Sequence, residues 1–128
     1  MHRFRFGLLI ALCWVLLPAA PPSSAQEPTD RVEINPITSA GWNRLWDSAM
    51  AKSQGRARPD GQVWVVEVPS ERVVYFFTTS LHPAHPSVVR RGRVEGDKES
   101  YIKTTAWTAS PPEPFREWLA ALLKPKRN

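Results

Sequence analysis

Apolar residues recur along this chain at two spacings. Trp42, Leu45, Trp46, Ala49 and Met50 fall at i, i+3, i+4, i+7 and i+8, one stripe of a helix, with Asn43, Arg44, Asp47 and Ser48 on the other side. Asn35-Pro36 and Thr38-Ser39 both offer a start, and Gly55 offers a stop. This spacing predicts a helix from about Ser39 to Gln54. Phe115, Trp118, Leu119, Leu122 and Leu123 form a second helical stripe, after the Pro111-Pro112-Glu113-Pro114 break and before Pro125. Lys124, Lys126 and Arg127 suit the negative end of its dipole.

Four extended runs lie between these stripes. Val63–Val68 is β-branched and follows the turn signal Pro59-Asp60-Gly61. Val73–Thr79 is apolar on both faces at its centre and follows the short break Pro69-Ser70-Glu71, which implies a hairpin. Val88–Glu95 and Glu99–Thr108 flank the Gly96-Asp97 turn. Residues 26–38 read as a loose leader and 125–128 as a basic tail, leaving a single domain over 39–124. The expected fold is α+β: a mainly antiparallel four-stranded sheet flanked by an N-terminal and a C-terminal helix. Trp42, Trp46, Trp64, Phe76 and Trp118 are its expected core.

The first 25 residues alter the composition of the working protein. Arg3 and Arg5 precede an apolar run from Gly7 to Pro18, and small residues follow up to Ser23-Ser24-Ala25. That is the order of a secretory signal peptide, with cleavage expected after Ala25. The run is shorter than the roughly 20 residues a membrane span needs; an uncleaved anchor is the alternative. Cys13 follows Leu12 inside the apolar run, where a lipoprotein signal would need a small residue. Cleavage leaves 103 residues with 15 basic and 12 acidic side chains, so the net charge falls from +5 to +3. It also removes the only cysteine, and with it any disulfide, thiolate nucleophile or cysteine ligand. The expected location is the periplasm.

The most unusual segment is His82-Pro83-Ala84-His85-Pro86. A proline after each histidine biases it to extended or polyproline II backbone. In that geometry His82 and His85 share one edge, roughly 9 Å apart along the axis. One ion would not reach both without a bend and a third ligand, so metal binding is the weaker reading and a rigid recognition loop of His82, Pro83, His85 and Pro86 the stronger. Arg90, Arg91 and Arg93 make the second candidate, a basic strand for an anionic partner or a solvated face paired with nearby acids. Ser70, Ser80 and Ser87 lack the Gly-x-Ser-x-Gly elbow, and no glycine-rich phosphate loop is present.

Thr78–Arg91, about 14 residues, resembles a segment of small exported bacterial proteins of unassigned function; the resemblance implies export and brings no activity. The order of strands around the histidine loop also resembles a cystatin-like helix wrapped by a sheet. Together these readings lead to an expectation of a non-enzymatic envelope protein. Its partner would be an envelope protein or an anionic polymer, with neither cofactor nor nucleic acid involved. A metal- or His-dependent envelope enzyme using His82 and His85 is the alternative.

Overall fold

Thr38 opens the first helix because its hydroxyl accepts the Gly41 N–H at 3.0 Å, satisfying one of the donors that a helix start leaves free. The helix runs Ser39–Lys52 (α1). It closes where Gln54 and Gly55 take left-handed backbone, with the Gly55 N–H on the Met50 carbonyl at 2.8 Å. The other elements, in the computed structural model of residues 29–125, are β1 (Thr29–Pro36), β2 (Ala57–Asp60), β3 (Val63–Val68), a single 3-10 turn at Pro69–Glu71, β4 (Val73–Thr78), β5 (Ser87–Glu95), β6 (Ser100–Thr108) and the helix α2 (Pro112–Leu123). The signal segment 1–25 and the last three residues of the basic tail lie outside the described residues.

All six strands join one sheet in the order β1-β6-β5-β4-β3-β2. β1 runs parallel to β6, and every other neighbouring pair is antiparallel. The pleat sorts side chains to two faces. Val66, Val68, Val73, Tyr75, Phe77 and Val88 face α1 and bury Ala49 against them, with Trp42, Leu45, Trp46 and Met50 packed on top. Val89 and Ala106 face α2, where they meet Phe115, Leu119 and the loop residue Ala84, with Phe76, Trp118, Leu122 and Leu123 around them. Each fully buried apolar side chain of this size contributes about 1.5–3 kcal/mol. β5 passes close to the bend after the 3-10 turn. A Cβ at Gly92 would lie 2.6 Å from Val73 Cγ1 and 3.1 Å from the Arg72 carbonyl oxygen, so only glycine fits there.

The expected four-stranded, mainly antiparallel sheet flanked by terminal helices is thus corrected to a six-stranded mixed sheet with one helix on each face. The four runs read from the sequence lie at β3 to β6, and two further strands form its edges. β1 falls within the segment 26–38 expected as a loose leader. Its two apolar residues, Val32 and Ile34, stay 43% and 54% exposed, and charges surround them, so an edge strand here carries no core-facing pattern. β2, Ala-Arg-Pro-Asp, reads as the start of a turn because Pro59 and two charges dominate four residues. A strand therefore precedes the first helix, and α1 carries the chain from β1 at one edge to β2 at the other. One core assignment also changes. Trp64 sits at the rim, 36% exposed, with its ring edge-on to Trp46 at 6.3 Å. Trp42, Trp46, Phe76 and Trp118 are half-buried around the fully buried clusters.

Candidate functional site

The loop between β4 and β5 is not extended. The His82 N–H bonds the Thr79 carbonyl and the His85 N–H bonds the His82 carbonyl, each at 3.0 Å, so two turns follow one another. Ala84 between the histidines is fully buried against α2 and acts as the plug that seats the loop. The His85–Pro86 peptide is cis, and the Pro86 carbonyl accepts the Ala109 N–H at 3.0 Å, which ties the loop to the end of β6. Ser87 fastens it further, its hydroxyl reaching the Ala84 carbonyl and lying 2.7 Å from the Thr108 hydroxyl.

These turns send the two imidazoles to opposite faces of the sheet. His82 packs edge-on against Trp118 of α2, centroids 5.1 Å apart, and His85 packs edge-on against Trp42 of α1 at 5.7 Å. They do not share one edge, as polyproline II geometry predicts, but pack against different helices. Among the described residues no group of three His, Cys, Asp or Glu side chains could hold a metal ion.

Hydrogen bonding gives the two rings different tautomers. His85 Nδ1 lies 3.1 Å from the Thr78 carbonyl oxygen and 2.9 Å from the Thr78 hydroxyl. A bare nitrogen lone pair would repel that carbonyl, so Nδ1 carries the proton and donates. The Thr78 hydroxyl accepts the Ser87 N–H at 2.9 Å and donates to the Ser87 carbonyl at 3.1 Å. That leaves His85 Nε2 as an acceptor without a partner among the described residues. In His82 the order is reversed. Nδ1 accepts the Ala84 N–H at 2.9 Å, which requires its lone pair, so the neutral ring is protonated on Nε2.

His82 has its pKa lowered, first by burial against the α2 side and second by the charge of His85. Glu113 and Glu117 of α2 line the same recess, of about 380 Å³, with Pro83 and Trp118. The folded protein therefore binds a proton at His82 less readily than the unfolded chain does. Stability is full above about 6.5, the ordinary imidazole value, and falls as pH drops below it. We expect the urea midpoint to decline between pH 7 and 5, and His82→Gln to flatten that decline; equal slopes for both proteins would contradict it.

His85 lines a cleft of about 350 Å³ with Ser39, Trp42, Asn43, Trp64, Thr79 and Ser80. No formally charged side chain lines it. Trp42 is held in place by its indole N–H on the Ser87 carbonyl at 3.2 Å and by parallel stacking on Trp46 at 5.8 Å. Trp64 and the loop tip Leu81, 77% exposed, stand at this same end of the sheet. A larger groove of about 530 Å³ beside the start of α1 is mostly apolar, and its Thr38 hydroxyl is already spent on the helix cap.

The three arginines do not form one basic face. Arg90 lies over the Tyr75 ring and 3.9 Å from Glu71 on the α1 side. Arg91 points to the α2 side, where it bonds Asp30 at 2.6 Å, the Thr104 hydroxyl at 3.1 Å and the Leu122 carbonyl at 3.3 Å. It ties β1, β6 and the end of α2 together. Arg93, on that same side, is exposed and pairs with Glu95 at 3.1 Å and Ser100 at 2.9 Å. Sequence reasoning missed Asn43 and the rim position of Trp64, which only the crossing of α1 over the β3–β4 end brings beside His85; Ser80, weighed there only as a nucleophile, lines the same cleft. No family model matches the chain, and neither a curated protein nor a solved structure matches it.

Proposed function

We propose that the chain is a small exported, periplasmic protein of a bacterial envelope that acts by binding, with the β4–β5 loop end of the sheet as its binding surface. The observation that carries this reading is His85, locked by Thr78 with Nε2 free, in an uncharged cleft between Trp42 and Trp64. A loop already pinned by turns, Ala84 and Ser87 presents these groups with little ordering cost on association. Leu81 adds an exposed apolar contact beside them. The cleft's neutrality and the internal acidic partners of Arg90, Arg91 and Arg93 favour a neutral, hydrogen-bonding partner surface over an anionic polymer. Catalysis fits this site less well. His85 is oriented by a backbone carbonyl and a threonine rather than a carboxylate, and among the described residues it makes no hydrogen bond to Ser80. Export rests on the basic, apolar and small-residue order of residues 1–25. Among the described residues no helix is long and apolar enough to cross a membrane.

The test is photo-crosslinking in the native envelope from position 81, with position 98 at the far end of the β5–β6 hairpin as the control. The expected result is a discrete adduct from position 81 alone, lost in Trp64→Ala and His85→Ala, on protein whose N-terminus is Gln26. Equal adducts from both positions, or none from position 81, would overturn the reading.

A further inference from the structure

The two edges of the sheet are built differently. β2 has four residues, with Pro59 unable to donate to a ladder and Arg58 and Asp60 beside it. Those are the usual devices that stop an edge from recruiting another strand. β1 has eight residues and carries no proline between Asp30 and Asn35. Its inner side pairs with β6, and among the described residues no strand pairs with its outer side. Among the described residues, two of the four exposed large apolar side chains, Val32 and Ile34, lie on it. Both lie on the α2 face, because their partners in β6 are Thr104 and Ala106. Arg31 and Glu33 alternate with them on the α1 face.

We propose that two copies of the chain pair through β1, antiparallel, about a two-fold axis at Val32. Among the registers centred on residues 31 to 33, the charge pattern selects this one. Centred on Val32, the strand sets each Arg31 opposite the second copy's Glu33, twice, and the two Val32 side chains against each other. Centred on Glu33 it opposes two carboxylates, and centred on Arg31 two guanidinium groups; like charges directly opposite are destabilising. Glu33 has no cationic partner within 4.0 Å among the described residues, so the second copy supplies one. Arg31 is held for that contact with its guanidinium 3.7 Å over the Tyr101 ring. Its internal ion pair with Glu99 at 3.4 Å is solvent-exposed and weak. An isologous contact of this kind closes on itself, and the proline-blocked β2 edge ends the joined sheet on each side, so the product is a dimer rather than a filament.

Sedimentation velocity on the purified full protein tests the proposal. Wild type should pass from monomer to dimer with rising concentration, and Val32→Lys should weaken the dimer by about tenfold or more while leaving unchanged the thermal midpoint measured at a concentration where both proteins are monomeric. Arg31→Glu and Glu33→Arg should each remain monomeric alone, since a homodimer of either opposes like charges at both cross-strand pairs. An equimolar mixture of the two should form a heterodimer, because each pair of positions 31 and 33 across the two-fold then joins one carboxylate to one guanidinium. Wild type that stays monomeric at about 100 µM would overturn the proposal. So would a Val32→Lys protein that dimerises like wild type, and a mixture that stays monomeric would remove the Val32-centred register.

Discussion

Phe77→Ala is expected to destabilise the protein by about 3–5 kcal/mol, the usual cost of emptying a buried phenylalanine site. Phe77 is fully buried at the centre of the α1 face. Its ring meets Trp46 edge-on at 5.0 Å, Trp42 edge-on at 5.4 Å and Tyr75 in a stack at 5.7 Å. These neighbours cannot close the gap easily, since Trp42 is bonded to the Ser87 carbonyl and Tyr75 belongs to the rigid strand β4. Typical domains have only about 5–15 kcal/mol in total, so the variant should lose a large share of its stability. Trp64→Ala, at the rim, should cost about 1 kcal/mol or less by comparison. Chemical denaturation of the three proteins decides the matter. A Phe77→Ala midpoint near wild type, or a Trp64→Ala loss exceeding it, would show that the aromatic cluster is centred elsewhere.

The contrast between these two positions shows what periodicity conveys in this chain. Helical stripes place α1 and α2 because each needs only one apolar face, and Trp42 and Trp118 mark those faces directly. β4 is apolar at Tyr75, Phe76 and Phe77 in succession, so alternation cannot rank Phe76 against Phe77; α1 buries Phe77 on one face, and Phe76 on the other face is half-covered beside α2. Edge strands fail for the opposite reason. β2 buries little and shows no alternation, while Val32 and Ile34 of β1 alternate with Arg31 and Glu33 but are too few and too exposed to mark a core face. The parallel pairing of β1 with β6 joins residues far apart in the chain, such as Val32 with Thr104, and no local signal encodes it.

The histidine loop is visible in the sequence as a motif but not as a geometry. The prolines after each histidine favour extended backbone, whereas the Thr79–His82 and His82–His85 turns reverse it and part the two rings. The partners that set the tautomers, Thr78 for His85 and the Ala84 N–H for His82, are close in the chain, yet neither threonine nor alanine carries any sequence mark of such a role. The arginines fail as a patch because strand alternation puts Arg90 opposite Arg91 and Arg93, and each finds an acid within the fold.

Thr78→Val should join the loop's stability to its binding. Valine matches threonine in shape, so the change removes a hydroxyl without opening a cavity. That hydroxyl is fully buried and accepts the Ser87 N–H, which is itself buried and has no other acceptor among the described residues. Orphaning it should cost about 1–3 kcal/mol. The Ser87 carbonyl is less affected, because the Trp42 indole still donates to it. His85 keeps only the Thr78 carbonyl, so its ring should gain freedom and the adduct from position 81 should weaken together with stability. Thr78→Ser restores the hydroxyl and should recover both properties, apart from a small packing loss from the missing methyl. Denaturation midpoints and the imidazole proton signals of His85 read the two effects separately. A Thr78→Val protein as stable as wild type, with the His85 Nδ1 proton still slow to exchange, would show that the hydroxyl neither supports the loop nor orients the ring.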